Sequence, residues 1–343
     1  MKRTAFITGV TGQDGAYLAK LLVEKGYRVF GLMRRSSRPS LYNLEYLGVA
    51  HDVEFVEGDL TDEASLIRAM RLVRPDEVYN LAAQSFVGDS WEQPIWVTEV
   101  NSIGVLKLLN AIKDFAPRAR FYQASTSEMF GASNRGGIQT ENTPFHPRSP
   151  YAISKLHAYW IVNNYKESYG MFCANGILFN HESPIRGKEF VTRKITDGVA
   201  RIKHGLATEI RLGNLDSKRD WGFAGDYVEA MWLMMQRREP DNFIISTGET
   251  HSIRNFLDLA FRRVGVKNWK PYVVIDPRFK RPSELLTLQG RSTKAFRKLK
   301  WKPKVQFEEL VAMMVDADLE RVRREAGENG RKTRTKKKNE VED

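Results

Sequence analysis

Thr4-Ala-Phe-Ile-Thr8-Gly9-Val-Thr-Gly12-Gln13-Asp14-Gly15-Ala-Tyr-Leu18-Ala-Lys-Leu21-Leu22 begins as a short apolar run. It passes through three glycines and turns into a pattern with leucines on one side. A strand, a glycine loop and a helix in that order form the arrangement that binds dinucleotides. Gly9 permits a tight turn, and Gly12 lets backbone approach a pyrophosphate seated on the helix N-terminus. Gly15 lets the helix pack on the strand. The spacing is G-x-x-G-x-x-G rather than G-x-G-x-x-G. Three glycines alone also suit a structural turn, and their place directly after the first strand gives them weight.

Outward from this stretch, strands and helices alternate. Residues 28–33, 53–57, 77–85 and 120–128 read as strands, with helices at 62–73 and 92–115 between them. This alternation predicts an α/β fold, a Rossmann-like doubly wound parallel sheet with a smaller C-terminal α/β substrate-binding domain. The expected division is 1–178 as the dinucleotide-binding domain, with 222–247 returning to it. Residues 179–221 and 248–320 form the substrate domain, and 321–343 a basic, disordered tail.

The second strand ends in Arg34-Arg35-Ser36-Ser37, where an NAD enzyme usually carries an acidic residue for the ribose 2′-hydroxyl. Two guanidinium groups and two hydroxyls suit a 2′-phosphate, so NADP is expected. Asp59 could accept from the adenine amine or cap the following helix.

Residues 120–128 run Arg-Phe-Tyr-Gln-Ala-Ser-Thr126-Ser-Glu128, and Ser149-Pro150-Tyr151-Ala-Ile-Ser-Lys155 follows a loop. In an extended chain Thr126 and Glu128 share a face, at the strand end where open α/β sheets place ligands. Ser149 suits an N-cap and Pro150 the first helical position, which sets Tyr151 and Lys155 one turn apart. A phenol titrates near pH ~10, and a nearby cation favours the phenolate. Lys155 can supply that charge and hold a cofactor ribose. Tyr151 can then take a proton from a sugar hydroxyl, Thr126 can bond the same oxygen, and Glu128 can move a second proton.

The chain has 343 residues, 42% of them hydrophobic, and a formal charge of +12. Such a balance suits an anionic ligand. The basic residues interrupt globular elements and form no nucleic-acid module, which argues against nucleic acid. Arg321 to Asp343 hold nine Lys/Arg against five Asp/Glu. One cysteine, Cys173, excludes an internal disulfide and reads as a buried thiol. No His/Cys/Asp/Glu set has metal spacing, so no metal is expected. No signal peptide is read, and no apolar run reaches a membrane span of ~18 residues, so a cytoplasmic protein without a membrane partner is expected. Arg219 and Arg281 lie in cationic loops and could grip a diphosphate.

These residues resemble the extended short-chain dehydrogenase/reductase superfamily and, within it, the GDP-mannose 4,6-dehydratases. The resemblance covers about residues 3–318. It rests on Thr-Gly-Val-Thr-Gly-Gln-Asp-Gly at 8–15, Arg-Arg-Ser-Ser at 34–37, Ala-Ser-Thr-Ser-Glu at 124–128 and Pro-Arg-Ser-Pro-Tyr-Ala at 147–152. Leu-Phe-Asn-His-Glu-Ser-Pro at 178–184, Phe-Val-Thr-Arg-Lys at 190–194 and Arg-Asp-Trp-Gly at 219–222 complete it. It implies cofactor contacts at Gly9, Gly12, Gln13, Asp14, Gly15, Arg34, Arg35, Ser36, Ser37, Asp59, Leu60, Leu81, Gln84, Ser85, Tyr151, Lys155, His181 and Arg186. Ser85, Thr126, Glu128, Asn180, Lys194, Arg219, Arg281 and Glu284 are implied for the nucleotide sugar.

The resemblance further implies Tyr151 as base at O4 of the mannose ring. Glu128 takes the C5 proton and helps expel the C6 hydroxyl as water, and the hydride that left C4 returns to C6. A homotetramer or homodimer is implied as well. Phe86, Trp96 and Ile185 stand where the family has histidine, tyrosine and arginine. Three other readings are a dehydratase of another GDP-sugar such as a GDP-manno-heptose, an epimerase or 4-keto reductase that does not need Glu128, and a non-catalytic NADP-binding or nucleic-acid-binding protein.

Overall fold

A computed structural model describes residues 2–133, 137–279, 285 and 287–339, with side chains as far as residue 327. The chain divides into two units. One comprises 1–181, 218–250 and 281–305, the other 182–217, 251–280 and 306–343. The return of 281–305 to the first unit is the main difference from the division expected above. It rests on backbone bonds such as Gln139 N to Gln289 O, 2.8 Å, and Arg291 N to Gln139 O, 3.0 Å.

The first unit is built on seven strands: β1 Thr4–Thr8, β2 Arg28–Met33, β3 Val53–Glu57, β4 Glu77–Asn80, β5 Arg120–Thr126, β6 Cys173–Leu178 and β7 Phe243–Ile245. Their order is β7-β6-β5-β4-β1-β2-β3, and each pairing is parallel. The longer helices are α1 Gln13–Glu24, α2 Glu63–Val73, α3 Pro94–Phe115, α4 Pro150–Tyr169 and, before β7, α6 Ala224–Met235. Parallel strands need right-handed crossovers. The chain runs outward from β1 to β3 and then jumps back to β4, so α1 and α2 fall on opposite faces. The reversal leaves a crevice at the C-terminal ends of β1 and β4.

Phe6, Leu66, Val78, Leu109, Ile112, Phe121 and Val162 form a continuous buried core under α2, α3 and α4. Cys173 belongs to it, and burial pushes its thiol up to about 12. By length and composition α3 could cross a membrane, contrary to the expectation that no apolar run reaches that length; over half of its most apolar window is buried in this core. Within α3, Glu99–Ile103 form a π-helical segment, a wider turn that often marks functional positions.

The second unit has α5 Val191–Lys203, α7 Ile253–Arg263 and α8 Phe307–Asn339, together with Ile210–Leu212 paired in parallel to Val273–Ile275. Residues 321–339, expected as a disordered tail, continue α8. Arg, Glu, Ala and Lys are good helix formers without any apolar stripe, and Arg321–Glu325 and Arg324–Glu320 pair at helical spacing. Arg193 of α5 is buried against Asp318 of α8, with Nε 2.9 Å and 2.8 Å from its two oxygens. Thr196 Oγ1 donates to Asp318 at 2.6 Å and Arg321 Nε at 3.0 Å. Arg193 also donates to the carbonyls of Pro184 and Arg186.

Removing one partner of a buried pair strands the other. Arg193→Met should therefore cost about 3–5 kcal/mol in urea unfolding, and adding Asp318→Leu should recover much of that loss.

Candidate active site

The glycine loop is bare backbone by necessity. Gly9 has φ +71°, and a Cβ there would lie 2.7 Å from Ala82 N. A Cβ on Gly15 would collide with Gly9 O and Val10 Cα, so Gly15 clears the loop itself rather than the strand. Gly12 precedes α1, and its N–H bonds Gly9 O at 3.0 Å. The loop therefore fits an anionic group at the start of α1.

Asp14 on the first turn of α1 lies 2.7 Å from His181 Nε2, and His181 Nδ1 lies 2.7 Å from Phe179 O. Gln13 Nε2 donates to Asp14 at 3.0 Å and to His181 O at 3.1 Å, and Tyr227 stacks on the imidazole at 4.6 Å. Gln13, Asp14 and His181 thus tie the loop to the segment after β6. Glu182, the neighbour of His181, accepts from Thr192 at 2.6 Å and faces Arg186 at 3.1 Å.

Arg34, Arg35, Ser36 and Ser37 are exposed immediately after β2. Asp59 accepts from Thr61 N and Thr61 Oγ1, both at 2.8 Å. Asp62 caps α2 instead, accepting from Ala64 N, so the capping role considered for Asp59 falls to another residue. Leu60 is buried, Leu81 half-buried, and Gln84 and Ser85 are exposed after β4.

At the expected reaction centre β5 stops at Thr126. Glu128 is not in extended chain but in a single 3₁₀ turn, Ser127–Met129, whose first bond is Glu128 N to Thr126 Oγ1 at 3.2 Å. The shared-face argument therefore gives way to a turn capped by Thr126. Ser149 accepts from Ala152 N at 3.1 Å and Pro150 is the first residue of α4, as expected. Tyr151 is 8% and Lys155 4% exposed. Lys155 Nζ donates to Ala124 O on β5 at 3.0 Å. Burial lowers its pKa to about 8 while the charge of Asp14 opposes the shift.

Several contributors had escaped the reading of the chain. Asn101, in the π-helical segment of α3, accepts from Gln84 N at 2.9 Å and donates to Gln84 O at 3.0 Å and to Ser154 Oγ at 3.2 Å. Ser102 donates to Ser154 O at 2.9 Å. Together they join the loop after β4 to the α4 turn between Tyr151 and Lys155. Asp220, beside Arg219, is fully buried and accepts from Thr247 N, Thr247 Oγ1, Gly248 N and Gly290 N at 2.7–3.3 Å. Burial pushes its carboxyl up to about 6 against those donors.

The GDP-mannose 4,6 dehydratase family model matches residues 6–314. A GDP-mannose 4,6 dehydratase of Arabidopsis thaliana is 52% identical over 334 residues, covering 94% of this chain and 92% of its own length. The human protein of that name is 47% identical, covering 94% and 93%. This chain belongs to the GDP-mannose 4,6-dehydratase family. The solved UDP-glucose 4-epimerase of Thermotoga maritima superposes with a TM-score of 0.82 at 26% identity, covering 93% of this chain and 99% of that one. The dTDP-glucose 4,6-dehydratase DesIV of Streptomyces venezuelae, with NAD and TYD bound, gives 0.80 at 26%, covering 92% and 96%.

Of the positions expected to contact the nucleotide sugar, Asn180 is half-buried after β6. Arg219 donates to Lys218 O and Leu285 O, each at 2.8 Å. In the second unit, Lys194 Nζ sits 3.3 Å from the Phe279 ring centre, and burial lowers its pKa. Arg186, expected as a cofactor contact, lies over the Phe190 ring at 3.6 Å. Arg281 and Glu284 lie outside the described residues. Among the described residues no His/Cys/Asp/Glu group could hold a metal ion.

The depressed Lys155 pKa carries a stability consequence. Between pH about 8 and 10.5 the unfolded chain holds this proton and the folded one does not, so stability rises with pH in that window. Below it the burial penalty, on the order of 3 kcal/mol, applies in full. Lys155→Met should stabilise the ligand-free protein against urea at pH 7 and much less above pH ~10.5, while abolishing turnover.

Proposed function

We propose that this chain converts GDP-mannose to GDP-4-dehydro-6-deoxy-mannose and water, using NADP that is regenerated in each turnover. Family membership over nearly the whole chain supports the reaction. The observation that carries the assignment of roles is the end of β5. There a threonine hydroxyl, a carboxyl group one 3₁₀ turn on, and a buried ammonium docked on Ala124 O share one strand terminus.

Bound nicotinamide supplies a reversible acceptor for the electron pair of one ring carbon. The chain's own groups do the rest. Lys155 holds a positive charge one helical turn from Tyr151, and a neighbouring ammonium favours the phenolate that can take the O4 proton. Thr126 orients O4. A ketone at C4 acidifies the C5 proton, which Glu128 removes. The same carboxyl, now protonated, assists departure of the C6 hydroxyl as water; the electron pair then returns to C6 and a proton enters C5, balancing the one Tyr151 took from O4. An epimerase or simple reductase would leave Glu128 without work.

The glycine loop and the start of α1 suit the pyrophosphate, and the DesIV and Thermus thermophilus UDP-glucose 4-epimerase structures hold NAD. A nicotinamide cofactor is therefore supported, and NADP over NAD rests on Arg34, Arg35, Ser36 and Ser37, exposed with no acidic residue at the end of β2. Assembly into two or four copies belongs to the same reading, supported by the exposed Ile153 and Trp160, which share one face of α4.

Incubation with GDP-mannose without added reductant should give a product lighter by one water in mass spectrometry; a product of unchanged mass would mean epimerisation. Turnover of another GDP-sugar in its place would move the specificity, not the chemistry. Glu128→Gln should lower water loss by about 10²–10⁴-fold. Arg34→Ala with Arg35→Ala should weaken NADP binding by at least about tenfold and NAD little, read by calorimetric titration.

A further inference from the structure

Three buried polar side chains cross the parallel sheet in register. Thr8 of β1 pairs with Asn80 of β4, and Asn80 with Gln123 of β5. Their exposures are 0%, 0% and 1%, and Asn175 of β6, also at 0%, continues the register beyond Gln123. Apolar side chains would avoid the demand for buried hydrogen bonds, so the row is poorly explained as packing.

The bonds in this row have one sense, and the backbone fixes it. Thr8 Oγ1 accepts from Leu81 N at 3.2 Å and Ala82 N at 3.1 Å, so its own proton must point elsewhere. It goes to Asn80 Oδ1, 2.5 Å away. That turns the Asn80 amide nitrogen toward Gln123 Oε1, 2.8 Å away. The Gln123 amide nitrogen is then left facing Ala124 O, which it meets at 3.0 Å. Ala124 O is also where the Lys155 ammonium docks at 3.0 Å, the one hydrogen-bond acceptor of that ammonium among the described residues. The row thus runs from the first residue before the glycine loop to the lysine of the reaction centre.

We propose that Gln123 is a positioning residue for Lys155: its carboxamide, oriented from Thr8 through Asn80, fixes the Ala124 carbonyl on which the ammonium sits. This rests on the role assigned to Lys155 above. Gln123 touches neither sugar nor cofactor in this scheme. It acts on the placement of the charge beside Tyr151, so its effect falls on turnover more than on substrate affinity.

The test uses the full-length holoenzyme with GDP-mannose, comparing Gln123→Met, Gln123→Glu and Lys155→Met with the unaltered protein. Gln123→Met should lower kcat about 10- to 100-fold, with KM changed less than about threefold. In Gln123→Glu, a protonated carboxyl at this position can accept from Asn80 and donate to Ala124 O, whereas the ionised form cannot donate. The ratio of its kcat to that of the unaltered protein should therefore rise as pH falls from about 8.5 to 6, and the Gln123→Met ratio should stay flat. A kcat within twofold in Gln123→Met, or a flat ratio in folded Gln123→Glu, overturns the proposal. Failure of both variants to fold also overturns it, by making the row a folding element. Full turnover in Lys155→Met would instead overturn the role of the lysine.

Discussion

The bond from Lys155 Nζ to Ala124 O joins a cation buried in α4 to the backbone of the central sheet. A charge in such a place is tolerated only where it is held and needed. The surrounding structure provides both conditions. Ser149 and Pro150 start α4 at the residue that puts Lys155 opposite the end of β5. The parallel order β7-β6-β5-β4-β1-β2-β3 brings that strand end near the crevice beside β1. In the proposed reaction, Tyr151 depends on the ammonium one turn away being kept in position.

Buried polarity is concentrated at the C-terminal ends of the strands in the first unit. Asp14 with His181, Asn101 with Gln84 and Ser154, and Asp220 with Thr247, Gly248 and Gly290 each join segments distant in sequence. None of these bonds is needed to make a Rossmann-like sheet, whose core is carried by residues such as Phe6, Val78 and Phe121. They give loops the fixed geometry that catalysis requires and that hydrophobic packing does not supply. The second unit solves a different problem with the same means, clamping α5 to α8 through Arg193 and Asp318.

The sheet was legible because its signals are local. Glycines after an apolar strand, a serine and proline before a helix, and alternating strands and helices all act within a few residues. Tyr151 and Lys155 could be placed for the same reason, since helical spacing fixes their separation. Glu128 was less well read: an extended chain was assumed where Thr126 Oγ1 caps a turn, and no pattern of apolar residues announces a one-turn helix. Asn80, Gln123 and Asn101 were missed because the partners that set them in place, Thr8, Asn80 with Gln123, and Gln84, lie 17 to 72 residues away. The helix over 321–339 was missed because its residues favour helix without any apolar stripe to announce it.

The wide turn at Glu99–Ile103 has a consequence for anyone redesigning this scaffold. It inserts a phase slip into α3, so side chains before Glu99 and after Ile103 do not follow one continuous spiral. Excising a single residue there would make a more regular helix and leave its hydropathy almost unchanged. It would also swing the Pro94–Thr98 half by about 100° about the axis and pull Asn101 away from the Gln84 backbone. Regularity at this point would be bought at the expense of the loop it steadies.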